Sequence, residues 1–444
     1  MKSTLFGTDG IRAHVGSFPL TPTDIPILGH AIGLWITKKC TYIPHILLSD
    51  DTRKSCVPIK TLLKRGLLYV PLVVHDSGTL PTPAVCAIVK NEQTFDAGLV
   101  LSASHNPYED NGIKIVAGCG SKIEYDDQQI ITDMFFMLLA QKNIDFSFHP
   151  LSKSLPFYDG HKRYINHIKQ FFKPQFLQQK TIVLDCANGA THAIAPLVFE
   201  LFGAHVLTIN NVPNGTNINA HCGTQHPKAI SVATAQHSAD IGFAFDGDGD
   251  RVAVATTDGT LIDGDFLIAI LMSHPDFSKE KTIVGTILSN HGLSLFCKER
   301  QRQFIRACVG DLSVLKLLKQ HNALLGGEPN GHIIIRSYLN SSDGIFTALK
   351  IAEAMILADD WYKEPFALMP QMSINVPIQK QYDLNMEPFT TIINTHRSYL
   401  ANGRIIVRYS GTQKLLRIML EDQDNAQMNA VARSLAQSLA KELE

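Results

Sequence analysis

An apolar run, Ile241-Gly242-Phe243-Ala244-Phe245, leads directly into Asp246-Gly247-Asp248-Gly249-Asp250-Arg251. The run predicts a buried strand, and the alternation of Asp with Gly predicts a tight loop at its carboxyl end. Alternate side chains on such a loop converge, and carboxylate oxygens suit a hard cation, Mg²⁺ or Ca²⁺. Left unpaired, these carboxylates would repel one another strongly, so a cation or a bound partner is almost required. A single Asp-Gly pair reads as a solvated turn, but that is a poor account of Asp246, Asp248 and Asp250 in register with Arg251 behind them. An EF-hand needs glycine at its sixth loop position and glutamate at its twelfth. Counted from Asp246, those positions hold Arg251 and Thr257, which excludes it. Arg251 points to a phosphate nearby and so favours magnesium over calcium.

Strand-then-polar-loop is the theme of most of the chain. Ile46-Leu47-Leu48 precedes Ser49-Asp50-Asp51-Thr52-Arg53, then a helical stretch, then Tyr69 to Val74. Gly98 to Leu101, Thr181 to Asp185 and Lys281 to Thr286 read as further strands, the second followed by the turn Asn188-Gly189-Ala190 and the third by a helix near Ser294 to Lys298. Such alternation predicts α/β architecture, with polar residues gathered where ligands bind in open α/β sheets. A chain of 444 residues exceeds one ordinary core. Pro150 to Pro156 with Lys173-Pro174, and later Trp361 to Pro370, mark changes of character. Beyond them Met372 to Ile378 and Arg404 to Val407 resemble strands, and a closing helix carries Met428, Val431, Leu435 and Leu439 on one face. The expected fold class is three α/β mixed-sheet domains around a central cleft plus a smaller C-terminal α+β domain. The expected bounds are 1–155, 156–252, 253–366 and 367–444.

Composition narrows the function classes. Hydrophobic residues at 45% and charged residues at 18% argue against disorder. A net charge of −1 without any Lys/Arg-rich block implies neither nucleic acid nor an anionic membrane as partner. The eight cysteines are scattered without a C-x-x-C pair, unlike a zinc site or a disulfide framework, and suggest reduced thiols. No run approaches the length of a membrane span and the first residues lack a long apolar segment, so a soluble cytoplasmic protein is expected.

Four further segments carry chemistry. Ser102-Ala103-Ser104-His105-Asn106-Pro107 follows the strand ending at Leu101 and by itself reads as a turn. No G-x-S-x-G elbow surrounds Ser104, which weakens a hydrolase assignment. A serine that carries a phosphoryl group, however, needs a cation on that phosphate, and the aspartate loop could hold one. Arg408-Tyr409-Ser410-Gly411-Thr412, with Arg417 further on, offers guanidinium, hydroxyl and backbone N–H groups for a phosphate, or a plain hairpin turn. Gly327-Glu328-Pro329-Asn330-Gly331-His332 is either a turn or a grip for sugar hydroxyls, and Phe6 to Arg12 places Arg12 after a glycine-rich start. Spread over the inferred units, they point to a single cleft between domains.

In this order, from Phe6 to Glu421, these segments resemble the α-D-phosphohexomutase family. The likeness is strongest to its phosphoglucosamine mutases, through Phe6–Arg12, Leu184–Ala190 and Pro213–Ala220. The resemblance implies interconversion of glucosamine 6-phosphate and glucosamine 1-phosphate, feeding synthesis of UDP-N-acetylglucosamine. It implies that Ser104 is phosphorylated, and that Asp246, Asp248, Asp250 and the Ser104 phosphate hold Mg²⁺. Arg12, Lys114 and Arg251 would stabilise the transferred group, with His105 and Lys114 candidates for proton transfer. Glu328 and His332, with Asn330 on the same loop, would meet the sugar. Arg408, Ser410, Gly411, Thr412 and Arg417 would hold the phosphate not in transfer. Glucosamine 1,6-bisphosphate would be intermediate and primer, a hexosamine phosphate the partner, and the assembly a monomer or a homodimer. A phosphomannomutase or phosphoglucomutase, and a non-catalytic sugar-phosphate sensor, remain the alternatives. This chain departs from the family at Asn330, where Ser is usual, at Gln413-Lys414, where Glu-Pro is usual, and after Val309-Gly310-Asp311, where an Arg often follows. These departures touch the choice of sugar and spare the phosphoserine and metal positions.

Overall fold

The computed structural model describes residues 5–7, 9–141, 144, 146, 148–358, 365–400, 403–409 and 414–443. It divides into two units, Met1–Thr286 with Arg302–Lys363, and Ile287–Gln301 with Glu364–Glu444. The first unit holds three sheets. One has β1 (Ile11–His14), β2 (His45–Asp50), β3 (Val73–Thr79), β4 (Ala97–Leu101), β5 (Asp110–Ala117) and β6 (Lys153–Pro156), in the order β1-β5-β4-β2-β3-β6. The next has β7 (Thr181–Asp185), β8 (His205–Ile209), β9 (Ile241–Phe245), β10 (Val252–Thr256) and β11 (Leu261–Ile262), in the order β11-β10-β9-β7-β8. The last has β12 (Thr282–Thr286), β13 (Gln303–Ala307), β14 (Leu325–Gly327) and β15 (Ile333–Ile335), in the order β13-β12-β14-β15.

All three sheets follow one plan. A parallel block, with helices as crossovers, ends in a strand that turns back as an antiparallel hairpin: β4 into β5, β9 into β10, β14 into β15. Strands β4 and β9 are buried at every position, as near-continuous apolar runs inside a parallel block must be. The hairpin connections are residues 102–109, 246–251 and 328–332, so the three chemistry-bearing loops read from the sequence occupy the same place in three sheets. The antiparallel partner strands were not legible beforehand. Val252-Ala253-Val254-Ala255-Thr256 lacks the apolar/polar alternation that marks a half-buried strand, because four of its five positions are buried.

In the first sheet the core gathers residues from β2 to β5 and from the helices Asp24–Lys39, Cys56–Leu67 and Tyr125–Leu139. The first two helices touch through glycine: a Cβ on Gly66 would lie 1.8 Å from the Pro26 carbonyl oxygen, and one on Gly29 2.3 Å from that of Leu63. The second unit carries β16 (Gln371–Pro377), β17 (Arg404–Tyr409) and β18 (Leu415–Glu421), all antiparallel in the order β16-β18-β17. Helices His291–Glu299, Phe389–Arg397 and Asn425–Leu443 belong to it as well, and Met428, Val431, Leu435 and Leu439 are all buried, as their spacing predicts. The mixed sheets and the small antiparallel one give the expected fold class. Among the described residues no helix is long and apolar enough to cross a membrane.

Replacing Gly66 with Ala forces the two helices of the first core apart. The expected cost is about 1–3 kcal/mol, the range for overpacking a tight contact, measured as a lower thermal unfolding midpoint; an unchanged midpoint would show that the crossing has slack.

Candidate active site

The hairpin connection after β4 carries Ser104, which is fully buried and has φ +52°, the left-handed region that serine rarely adopts. Its backbone N–H donates to Ser102 Oγ at 2.9 Å. Its carbonyl accepts from Arg53 Nη2 at 3.0 Å and from Asn219 Nδ2 at 2.9 Å. So held, the Ser104 hydroxyl donates to Asp246 Oδ2 at 2.6 Å and lies 3.4 Å from His105 Nδ1. Burial, together with Arg251 and Arg12, brings the His105 imidazole down to about 4, so it is neutral near pH 7.

The connection after β9 meets this loop edge on. A Cβ on Gly247 would lie 2.5 Å from the Ser104 carbonyl oxygen, so only glycine permits the approach. Asp246, Asp248 and Asp250 are buried, and each offers a carboxylate oxygen within 4.8 Å of the others. Burial, then Asp250 and Asp248, push the Asp246 carboxyl up to about 7. Asp248 Oδ1 and Asp250 Oδ1 are buried with no hydrogen-bond partner. Orphaned oxygens on an all-carboxylate set are what a hard divalent cation satisfies, so these residues fit Mg²⁺. The Nε atoms of Arg12 and Arg251 are likewise buried without an acceptor, a pair of donors suited to an anion.

A closed ring of alternating charge surrounds the aspartates. Lys114 Nζ lies 2.7 Å from Asp248, 3.2 Å from Asp250 and 2.9 Å from Asp9. Asp9 also pairs with Lys122 and with Arg12. Lys122 reaches Asp311 at 2.5 Å, Asp311 lies 3.5 Å from His332 Nε2, and His332 Nδ1 lies 3.6 Å from Asp250. Burial works against every charge in the ring, yet its members hold one another ionised. Asp248, Asp250 and Asp9 keep Lys114 well above the usual lysine range. Lys114, His332 and Lys122 keep Asp250 well below the usual carboxylate range, and Asp250 with Asp311 raise His332 to about 10. Hydrogen bonding agrees with a protonated His332. Ser342 Oγ donates to the Asp250 carbonyl at 2.7 Å, so at its 2.7 Å contact with His332 Nε2 it must accept.

The loop after β14 packs on the start of β10: Val252 N–H donates to the Gly331 carbonyl at 3.2 Å, and a Cβ on Gly331 would lie 2.0 Å from the Val252 carbonyl oxygen. Glu328 is buried and its Oε1 accepts from the Gly310 N–H at 3.0 Å. Asn330 is exposed, with Oδ1 accepting from the His332 N–H at 3.1 Å. His332, expected to meet a sugar, is buried and turned to Asp250, Asp311 and Ser342. The first unit thus brings together Arg12, Ser104, His105, Lys114, the three aspartates, Arg251 and His332. In the second unit Arg408 and Arg417 are direct cross-strand partners. Burial, then Arg417, lowers the pKa of Arg408. Ser410, Gly411 and Thr412 lie outside the described residues.

Sequence reasoning missed Asp9, Arg53, Lys122 and Asn219. Arg53 had a usable signal, since Asp51-Thr52-Arg53 follows a parallel strand at its carboxyl end. Asp9 lies within the Phe6–Arg12 segment, from which sequence reasoning took Arg12 alone; Lys122 had no signal, because an ion pair between residues 113 positions apart leaves no local pattern.

The sequence matches four descriptions of one family, phosphoglucomutase/phosphomannomutase: alpha/beta/alpha domain I over residues 3–141, domain II over 162–259, domain III over 263–371, and the C-terminal domain over 373–438. It is 37% identical over 451 residues to a phosphoglucosamine mutase of Psychrobacter arcticus, covering 98% of each chain. A phosphoglucomutase/phosphomannomutase family protein from Burkholderia thailandensis has a similar structure, with TM-score 0.79 and 22% identity over 99% of this chain and 98% of that one. An N-acetylphosphoglucosamine mutase of Aspergillus fumigatus, solved in complex with GlcNAc-6P and magnesium, superimposes with TM-score 0.65 at 15% identity, covering 99% and 96%. With its whole length matched and its loops at equivalent hairpins, the chain belongs to the phosphoglucomutase/phosphomannomutase family.

Proposed function

We propose that this protein interconverts glucosamine 6-phosphate and glucosamine 1-phosphate through a phosphorylated Ser104 and a bound glucosamine 1,6-bisphosphate. The observation that carries the proposal is the seat of the Ser104 hydroxyl, 2.6 Å from Asp246 at the edge of the aspartate loop. The full-length likeness to a relative named phosphoglucosamine mutase supports the amino sugar over other hexoses.

Asp246, Asp248, Asp250 and a phosphoryl group on Ser104 would hold Mg²⁺, which when bound supplies positive charge to the group in transfer. The residues of the chain do the rest. The bond from Ser104 Oγ to phosphorus breaks as one forms to a sugar hydroxyl; His105, neutral and beside Ser104 Oγ, takes the proton of that hydroxyl and passes it to the Ser104 oxygen left behind. Arg12 and Arg251, with buried unpartnered Nε atoms, receive the charge on the phosphoryl oxygens. Lys114, fixed as a cation by Asp9, Asp248 and Asp250, contributes charge and gives up no proton. After the bisphosphate turns round, its other phosphoryl group moves to Ser104, whose proton His105 takes and gives to the sugar oxygen left behind. Glu328 and Asn330 meet the sugar, and His332 supports Asp250 and Asp311 from behind. Arg408 and Arg417, like charges placed directly opposite, are stabilised by an anion, as the phosphate not in transfer would be.

Ser104→Ala loses only a hydroxyl, so turnover falls at least about 1000-fold, as for loss of a covalent nucleophile, while the unfolding midpoint stays unchanged; retained turnover rules out Ser104 as carrier. Asp248→Asn weakens Mg²⁺ binding at least tenfold by calorimetry, since one of three carboxylate charges goes; wild-type affinity would place the ion elsewhere. Among glucosamine, glucose and mannose 6-phosphates, the amino sugar gives the highest kcat/KM. Equal or faster turnover of a neutral sugar would make the protein a phosphoglucomutase or phosphomannomutase instead.

A further inference from the structure

Ser104 reaches Asp246 only because its backbone stays left-handed, a conformation that serine leaves readily unless its surroundings prevent it. Two side chains from different sheets supply that restraint. Arg53 follows β2, is 2% exposed, and is itself fixed by Asp51, which accepts from its Nε and from its backbone N–H at 2.9 Å each. Its guanidinium donates to the carbonyls of Ser104 at 3.0 Å, Asn106 at 2.8 Å and Pro107. Asn219 lies between β8 and β9, and its Nδ2 donates to two of the same carbonyls, Ser104 at 2.9 Å and Asn106 at 3.0 Å. Asn219 is locked in turn: its own φ is +57° and its N–H donates to the Ala187 carbonyl at 2.9 Å. A side chain at 247 would put a Cβ 2.8 Å from Asn219 Nδ2 and 2.5 Å from the Ser104 oxygen. The bare glycine therefore leaves room for this contact as well as for the loop.

Satisfying buried carbonyls would take one donor each. Here the same two donors each span residues 104 and 106, which fixes the orientation of the 104–105 and 106–107 peptides, either side of the His105–Asn106 link, and hence the direction of the Ser104 side chain. We propose that Arg53 and Asn219 are positioning residues that clamp the Ser104 loop from two sides and hold its hydroxyl against Asp246. The clamp rests on the assignment of Ser104 as phosphoryl carrier. Neither residue acts on the substrate; each acts through the loop backbone.

The test uses the full chain, with Asn219→Ala, the isosteric Asn219→Asp that removes both donors, and Arg53→Lys, which keeps the charge and loses the planar fork. Steady-state rates on glucosamine 6-phosphate are measured beside the rate at which Ser104 gains phosphate from glucose 1,6-bisphosphate with Mg²⁺, followed by intact mass. Misplacing the reacting group lowers kcat and the loading rate together by roughly 100-fold in either Asn219 variant, with KM within about twofold of wild type. Arg53→Lys falls in the same direction. Should Asn219→Ala not fold, Asn219→Asp decides by its shape. Wild-type kcat and loading in a folded Asn219 variant, or a rise in KM in place of the fall in kcat, overturns the clamp alone. Wild-type protein that takes up no phosphate on Ser104 overturns the assignment of Ser104, and the clamp with it.

Discussion

Three buried carboxylates at the end of one strand set the terms for everything near them. Asp246 and Asp248 are 0% exposed and Asp250 2%, and burying charge costs several kcal/mol per ion unless it is paired. Placing a lysine beside them only moves the problem, because a buried lysine needs counter-charge of its own. The chain closes the account in a circle: Asp250, Lys114, Asp9, Lys122, Asp311, His332 and back to Asp250. These residues come from the N-terminal segment and from all three sheets of the first unit, so the ring that balances the charge also ties the sheets together at this point. Asp248 Oδ1, which enters no pair of the ring, and Asp250 Oδ1, which meets His332 only at 3.6 Å and makes no hydrogen bond, are the oxygens that a cation would take.

Such a meeting of loops depends on where each sheet stops being parallel. A parallel strand is normally followed by a long crossover, which carries the chain away to the other end of the sheet. At β4, β9 and β14 the chain turns back at once, so a short, tightly held loop stays at the carboxyl end. Glycines then decide how near the loops come: Gly247 against the Ser104 carbonyl, Gly331 against Val252 and Gly344 against Arg251 each have backbone within 2.5 Å of where a Cβ would sit. Reactive groups borne on short loops between buried strands keep their geometry without a ligand to organise them.

What the sequence shows of this follows from the range of the interactions. The aspartate triplet, the Ser104 turn and the strands before them announce themselves because strand, loop and chemistry are contiguous. Fold class follows, since the alternation of apolar runs and helical patterns is local too. The ring is invisible beforehand, its partners lying as far apart as Lys122 and Asp311. His332 shows the same limit from the other side. Its place on a glycine-bounded loop suggests either a turn or a grip for sugar hydroxyls, whereas packing of that loop on β10 turns the ring inward to Ser342 and two carboxylates. Strand β10 is obscured by small residues buried on both faces, which remove the alternation that would betray it.

Environment also divides the work between two histidines of identical intrinsic chemistry. His105 is half-buried near two arginines and stays neutral; His332 stands between two aspartates and stays charged. Neighbouring groups whose environments drive their proton affinities apart are the usual arrangement for assigning acid–base roles. Lys114, the other candidate for moving a proton, is held as a cation by three carboxylates, and releasing its proton would leave those charges buried without compensation. In the proposed reaction a base is required twice, once to take a proton from the accepting sugar hydroxyl and once, after the intermediate turns, to take the proton of Ser104 as it accepts the phosphoryl group. Of the polar groups within reach of Ser104 Oγ, Asp246 is occupied with the hydroxyl itself and would be a ligand for the cation, which leaves His105 for both proton transfers of the proposed reaction.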